Sequence, residues 1–525
     1  LVGYEEFRKW ARTTDISKKR MLDTSLTDFD ALTEPDYIDG STTEFSSRSV
    51  FGRVTYTYDS RYLFEANVRY DGSSRFPSGN RFGFFPSMSA GYRISEEPFM
   101  QSLKPYLSTL KIRGSWGMIG NQDVGTDRYI STLSTSVDSW IIDGKKVQST
   151  QKPTIVSSTL TWEKVTTLDL GLDARFFNDA LGVTFDWYNR TTSDILTTAN
   201  LPATLGADAP YENMGTIQTK GWELAIDYRH TFKNGLHFGV TASVADDKTE
   251  VTKWTYNTKI PSYGATGWWD KSAYKEGMVL GDIWGLQFDR FLTEDDFNAD
   301  GSLKAGLPDQ TKVFPAGYQF APGDVLYKDL DNNGEIVKQT NTNDKGDLSV
   351  IGNALPRLQF GLNLDAAWKG FDISMFFQGV AKRKLWAAGN QVLPGFTTGE
   401  PFYKGAEDYW TPENTDAFYP RPMDYKQSAS GNYSVNDRYL LNMAYLRLKT
   451  FTVGYSLPKV WLSKFKVQGL RVYFTGENLF TIDGVKPAID PEIGIRTASG
   501  KSDQRNFGRS YPYQKTVSFG IQLSL

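Results

Sequence analysis

The stretch Tyr62-Leu63-Phe64-Glu65-Ala66-Asn67-Val68-Arg69-Tyr70-Asp71 alternates strictly between two chemistries. Tyr62, Phe64, Ala66, Val68 and Tyr70 are apolar or aromatic, and the residues between them, from Glu65 onward, are charged or amide-bearing. Side chains alternate faces along a strand, so this is a strand between a greasy and a wet environment. The pattern recurs. Leu168, Leu170, Leu172, Ala174 and Phe176 alternate with Thr167, Asp169, Gly171, Asp173 and Arg175. Leu358, Phe360, Leu362, Leu364, Ala366 and Trp368 alternate with Gln359, Gly361, Asn363 and Asp365, and Val517 to Leu525 closes the chain in the same way. Long strands with charge on one face suit a water-filled transmembrane barrel better than a dry soluble core.

Composition agrees with that reading. The 525 residues are 39% hydrophobic, and no apolar run approaches the roughly 18 residues of a spanning helix. Barrel strands escape hydropathy scans because lumen-facing polar residues dilute every window. Aromatics make up 14%, with 28 Tyr and 14 Trp, the residues that collect at bilayer interfaces. A net charge of −3 with no dense basic run gives no reason to expect a nucleic-acid partner. With no cysteine, disulfides and thiolate metal sites are excluded. Leu1 to Arg20 carries Glu, Arg, Lys and Asp and has no apolar signal core. The chain reads as though cut from something longer.

Alternation and turn signals predict strands at 1–7, 48–58, 61–71, 82–94, 108–118, 162–177, 181–191, 219–232, 236–247, 280–290, 356–368, 370–381, 439–455, 469–479 and 513–525. Asp59-Ser60, Asn178-Asp179 and Lys369-Gly370 supply tight hairpins. The connections 119–161, 192–218, 248–279, 291–355, 382–438 and 480–512 are long. Short turns on one rim and long loops on the other is the asymmetry of outer-membrane barrels. The expected fold is an all-β transmembrane antiparallel barrel portion of about 14 to 15 strands. An odd count sits badly with bacterial barrels, and an open edge in lipid costs several kcal/mol per unpaired backbone group. Further strands are therefore expected from elsewhere.

Several stretches resemble the SusC/RagA family of TonB-linked outer-membrane transporters of Bacteroidota. Ser49 to Met100 (SVFGRVTYTYDSRYLFEANVRYDGSSRFPSGNRFGFFPSMSAGYRISEEPFM) is similar to that family's two strands, RxDGSSRF turn, GxFPSxSxGWR strand and ExFM ending, with Tyr92 where Trp is frequent. Leu110–Gln122, Asn213–Leu224, Asp408–Arg421, Tyr445–Leu457 and Gly476–Phe480 match further motifs in family order. The final Leu525 departs slightly from the usual aromatic terminus.

The resemblance implies a 22-stranded barrel, plugged by an N-terminal domain and lidded by a SusD-like surface lipoprotein. It implies import of oligosaccharides, or alternatively oligopeptides, energised by TonB–ExbB–ExbD through a TonB box. Residues 1–525 then correspond to a C-terminal barrel portion, with plug, TonB box and first strands absent from the chain. It is expected to be either a fragment or one half of a split transporter in the outer membrane of a Gram-negative bacterium. A passive pore and a structural scaffold barrel are the alternatives outside the family's activity.

Candidate sites divide into three groups. The expected lumen-lining residues are Glu65, Arg69, Asp169, Asp173, Arg175, Asp227, Arg229, Asn363 and Asp365. Trp254, Trp268, Trp269, Trp284, Trp386, Tyr403, Tyr409 and Trp410 lie in or beside long loops. There they could stack on sugar rings, or instead pack the loops together or against the lid. Asp329, Asp331 and Asn333, followed by Gly334, match the start of a calcium loop, but Thr340 stands where the bidentate Glu belongs. Asp296, Asn298 and Asp300 repeat the pattern with Leu307 at the last position. Ca2+ is the one cofactor expected, and ordinary Asx turns are the competing reading. Enzymatic constellations are not found. His230 and His237 are the only histidines, and Gly494 to Ser502 has one residue too many between its glycines for a P-loop.

Overall fold

The computed structural model describes residues 1–525 apart from 22, 24, 26–27, 30–31, 134, 151–153, 199–208, 256–273, 339–345, 388, 397–401, 424–430, 463–466, 487–488, 493–510 and 525. One antiparallel sheet of fourteen strands dominates it. These are β1 (Val2–Met21), β2 (Leu32–Tyr58), β3 (Tyr62–Ser73), β4 (Phe82–Arg93), β5 (Leu107–Asn121), β6 (Glu163–Phe176) and β7 (Leu181–Thr198). There follow β8 (Tyr211–Thr231), β9 (His237–Trp254), β10 (Arg357–Trp368), β11 (Phe371–Lys382), β12 (Tyr445–Ser456), β13 (Gly469–Asp483) and β14 (Thr516–Ser524). Each pairs with its neighbour in chain order, so the sheet is a simple up-and-down meander.

The predicted hairpins form as expected. Asp59 and Ser60 have φ of 50° and 55°, and Lys369 and Gly370 have 48° and 90°. Lys369-Gly370, between the paired Trp368 and Phe371, is the two-residue turn that twisted strands require, whereas three residues separate the paired Tyr58 and Tyr62. Asn178 and Asp179 are likewise left-handed.

Fourteen strands replace the fifteen expected. Residues 280–290 do not join the main sheet: Asp282–Gly285 pairs with Ser349–Asn353, and Phe288–Phe291 with Val325–Tyr327. The reason is burial on both faces, since Ile283 and Leu286 are fully enclosed and Phe291 nearly so. Alternation there belongs to a packed loop core rather than to a wall facing lipid and water. In contrast, 192–198 and 211–218, read as loop, are strand. Thr191-Thr192-Ser193-Asp194 keeps its ladder without an apolar face, so pairing continues where hydrophobic period stops. A second hairpin, Thr135–Ile142 with Lys145–Thr150, was also missed, although Asp143-Gly144 at its tip is a strong turn signal.

Two compact units emerge: Leu1–Gly91 with Gly114–Leu168 and Arg190–Thr216, and Tyr92–Arg113 with Asp169–Asn189 and Ile217–Leu525. In the first, Phe76, Phe85, Leu160, Trp162 and Leu196 form a small core, with Trp162 Nε1 donating to the carbonyl of Arg81. In the second, the long connections are themselves a packed body. One cluster gathers around Ile283, Trp386, Leu393, Tyr419, Tyr439 and Met443, and another around Leu286, Phe314, Val325, Tyr327 and Trp410.

Candidate functional site

The sheet has one apolar and one polar face. In the first unit, Val54, Tyr56, Phe64, Val68 and Tyr70 keep between 44% and 64% of their surface exposed. In the second, Leu170, Phe185, Ile226, Phe371 and Val472 are likewise exposed. Soluble proteins rarely present apolar patches on this scale, whereas a lipid-facing wall must.

Opposite these residues, charges are paired side to side. In the first unit, Arg53 pairs with Glu65, which also accepts from Asn67 Nδ2 at 2.9 Å. Arg69 forks onto Asp71 at 3.0 and 3.2 Å. In the second unit, Arg113 of β5 gathers three carboxylates: Asp169 at 3.5 Å, Asp173 at 3.1 Å and Asp186 at 2.6 Å. Arg175 of β6 reaches both oxygens of Asp227 on β8 at 3.1 and 3.2 Å. Arg357 pairs with Asp246, Arg471 with Asp372, and His237 Nε2 lies 3.4 Å from Asp365.

Glycine makes room for these pairs. A Cβ on Gly171 would run into the Arg113 guanidinium and lie 2.7 Å from Asp186 Oδ1, and one on Gly182 would strike Asp227 and Arg175. The pairs thus lie flat against the strands. Asn363 lines a 530 Å3 groove on the polar face with Gln359, Gln378, Ser243 and Glu223, groups able to donate and accept hydrogen bonds. All nine residues expected at a lumen therefore lie on the charged side of their strands. Arg229 does so by its register with Asp227, two residues away on β8.

The loop aromatics separate into two kinds. Trp254, Trp386 and Trp410 are 8%, 2% and 7% exposed and pack the interior, Trp254 against Tyr274 at 4.9 Å. Trp284 packs against the second core cluster, and its Nε1 is buried without a hydrogen-bond partner among the described residues. Packing of the loops, the second of the two readings, describes these four. Tyr403 and Tyr409 stay exposed. Trp268 and Trp269 lie outside the described residues.

Sequence reasoning missed what holds this loop body together. Asp324, fully buried, accepts from Tyr318 OH (2.9 Å), the amide of Ala321 (2.9 Å), Arg421 Nε (2.8 Å) and Asn432 Nδ2 (3.0 Å). Nothing in the local sequence around Asp324 announces partners a hundred residues away. A second cluster fixes the segment after β13. Arg447, 4% exposed, holds Asp490 at 2.7 Å and also Glu492, to which Lys449 donates at 3.0 Å. Burial pushes the Asp490 carboxyl up, but hydrogen bonds from Arg447 and two backbone amides outweigh it and leave it below its ordinary range.

At the acidic turn, Asp329 accepts the amide of Gly334 (2.8 Å), Asp331 that of Asn333 (3.1 Å), and Asn333 Oδ1 that of Glu335 (2.7 Å). Asp331 and Asn333 thus make Asx turns, whereas Asp329 reaches across the loop to the amide of Gly334 five residues on. Buried Asp347 adds a third carboxylate, with oxygens of all three acids within 4.8 Å of one another. Its own oxygens accept the amides of Leu330 and Val337. At the other acidic loop, Asp296 is taken by Arg290 at 2.6 and 2.7 Å and by the amide of Thr293. Its carboxyl is held down to about 2, chiefly by the Arg290 hydrogen bonds.

Residues 4–320 match the family described as "TonB dependent receptor-like, beta-barrel". The chain belongs to this family. Its apolar sheet face is accordingly the lipid-facing side of an outer-membrane β-barrel. Among curated relatives, TonB-dependent receptor P3 of Formosa agariphila is 28% identical over 90% of this chain and 45% of its own length. TonB-dependent receptor SusC of Bacteroides thetaiotaomicron is 27% identical over 91% of this chain and 43% of its own. The chain thus spans about half the length of the curated relatives it matches. A solved structure of the RagAB peptide transporter superposes with a TM-score of 0.75 at 22% identity, covering 99% of this chain and 52% of that one. That likeness establishes the fold.

Proposed function

We propose that this chain forms barrel wall in a SusC-like outer-membrane transporter that imports oligosaccharides. One observation carries the reading: exposed apolar side chains on one sheet face stand opposite flat-lying ion pairs and amide groups on the other. Such a wall separates lipid from a polar path, and a path lined with donors and acceptors suits a hydroxyl-rich cargo better than an apolar one. The SusC relationship adds the energy source and the lid. Strands beyond β1 and β14, together with a plug carrying a TonB box, complete the working transporter. A SusD-like lipoprotein covers its extracellular loops.

In this mechanism the lid and loops enclose the cargo and TonB–ExbB–ExbD pulls on the plug. The polar face then offers a sequence of exchangeable hydrogen bonds in place of water. Arg113, Arg175 and Arg471 are already paired with carboxylates, so these three charges are not bare to the path. Uptake of labelled glycan and peptide pools by cells with and without the gene tests the proposal. Glycan uptake lost both on deletion and on TonB inactivation supports it. Loss of peptide uptake alone makes it an oligopeptide importer, and uptake indifferent to TonB makes it a passive pore.

A further inference from the structure

Within the loop body of the second unit lies a pocket of about 420 Å3, inside the size range of small-molecule sites. Its sides include Phe402, Tyr403 and Tyr409, and its floor Tyr419 and Tyr433. The floor tyrosines are 3% and 4% exposed, while Phe402, Tyr403 and Tyr409 keep 58%, 39% and 40% of their surface open. Their exposure contrasts with Trp386, Trp410 and Tyr439, which the same loops bury. Lys404 and Glu407 line the pocket too, and neither has an ion-pair or hydrogen-bond partner among the described residues. The pocket therefore offers open aromatic faces, one free donor group and one free acceptor group.

The main chain offers little. Pro394, Pro420 and Pro422 carry no N–H, the amide of Ala406 is donated to Tyr403, and that of Tyr419 to Asp408. The carbonyl of Tyr419 already accepts from Trp410. An extended peptide draws on a row of free backbone donors and acceptors, and the prolines and the bonded groups of Ala406 and Tyr419 interrupt such a row here. Recognition falls chiefly to ring faces and side-chain tips. We infer that the pocket bounded by Phe402, Tyr403, Tyr409 and Tyr419 is a stacking site for a neutral sugar ring of an oligosaccharide. The C–H face of the ring lies on Tyr409, Lys404 donates to a hydroxyl, and Glu407 accepts from one. Glu407 repels a carboxylate that Lys404 would attract, so the two together bring no net charge to the pocket and suit a neutral ring. This inference rests on the proposed glycan cargo and adds the place and charge class of its recognition.

The test is calorimetric titration of the detergent-solubilised full complex with a panel of neutral oligosaccharides, their uronate-bearing counterparts and a proline-rich peptide. At least one neutral glycan is expected to bind. Tyr409→Ala should weaken it about tenfold, the loss of one aromatic stack, and Tyr409→Phe should retain it. Glu407→Gln should narrow the gap between neutral and uronate ligands. Binding unchanged in Tyr409→Ala, preference for uronates, capture of the peptide at this pocket, or no glycan binding at all would overturn the inference. Cellular uptake separates the two proposals. Glycan uptake that persists when binding ignores Tyr409 leaves the transporter reading standing and removes only the pocket, whereas absence of glycan uptake in the wild type removes the cargo reading itself.

Discussion

At the scale of single residues, two aspartates show how differently a carboxylate can be used. Asp324 is sealed in and saturated by donors from three separate segments, so it acts as a fastener for the loop body. Removing one partner of a buried, hydrogen-bonded charge pair costs about 3–5 kcal/mol. Asp324→Ala is therefore expected to loosen residues 318–325 and 421–423, read as faster amide exchange there, while the main-sheet strands keep their protection. Asp296 is tuned instead by Arg290. Its folded value lies near 2 against an ordinary 3.8, so its stabilisation is present above pH 3.8 and is lost as pH falls toward 2. That difference is about 2 kcal/mol. Pepsin should begin to cut at Phe291-Leu292 only below pH 4, and Arg290→Met should bring cleavage forward to higher pH. An unchanged pH profile in Arg290→Met would show that the pair does not hold the turn. Neither role was legible in sequence: Asp324 depends on groups that the loops bring from about a hundred residues away, and Asp296 on a nearby arginine that no motif marks. The calcium-like spacing at Asp296 was visible, but the guanidinium that occupies its carboxylate was six residues upstream and unmarked.

At the scale of strands, the alternation that opened the reading did most to define the fold. It works wherever one face meets lipid and the other meets polar groups, as in β3, β6 and β10. It misleads at 280–290, where both faces are buried, and it falls silent at 192–198, where a polar run is followed by Ile195 and Leu196 buried on opposite faces. Hairpins at Asp59-Ser60 and Lys369-Gly370 were legible because local chemistry alone permits left-handed backbone there. The face assignment makes an energetic prediction. Leu170→Arg puts a charge on the lipid side and should cost about 2–4 kcal/mol if it lies near the bilayer midplane. Asn363→Asp on the polar side should change stability by only about 0.5 kcal/mol or less. Urea midpoints for refolding into liposomes, followed by tryptophan fluorescence, check both. Equal penalties at the two positions would contradict the assignment.

For the molecule as a whole, the sheet and its family membership make this chain barrel wall, and transport is proposed on that foundation. Of the expected site, which residues share the charged side of a strand was readable from period alone. The ligand contacts were not: a tryptophan in a long loop has no sequence mark that separates a packed ring from an open one, and Trp386 and Trp410 turned inward while Tyr409 stayed outside. The natural absence of cysteine makes the wall unusually easy to probe, since any single introduced thiol is the only one in the chain. The most direct measurement is therefore cysteine accessibility in native outer membranes at adjacent positions on one strand. Asn363→Cys and Asp227→Cys should react with a charged, water-soluble thiol reagent, and Leu364→Cys and Ile226→Cys should react only with a lipid-partitioning one. Water-soluble labelling of both members of each pair, or of Leu364→Cys and Ile226→Cys alone, would contradict a wall between lipid and a polar path.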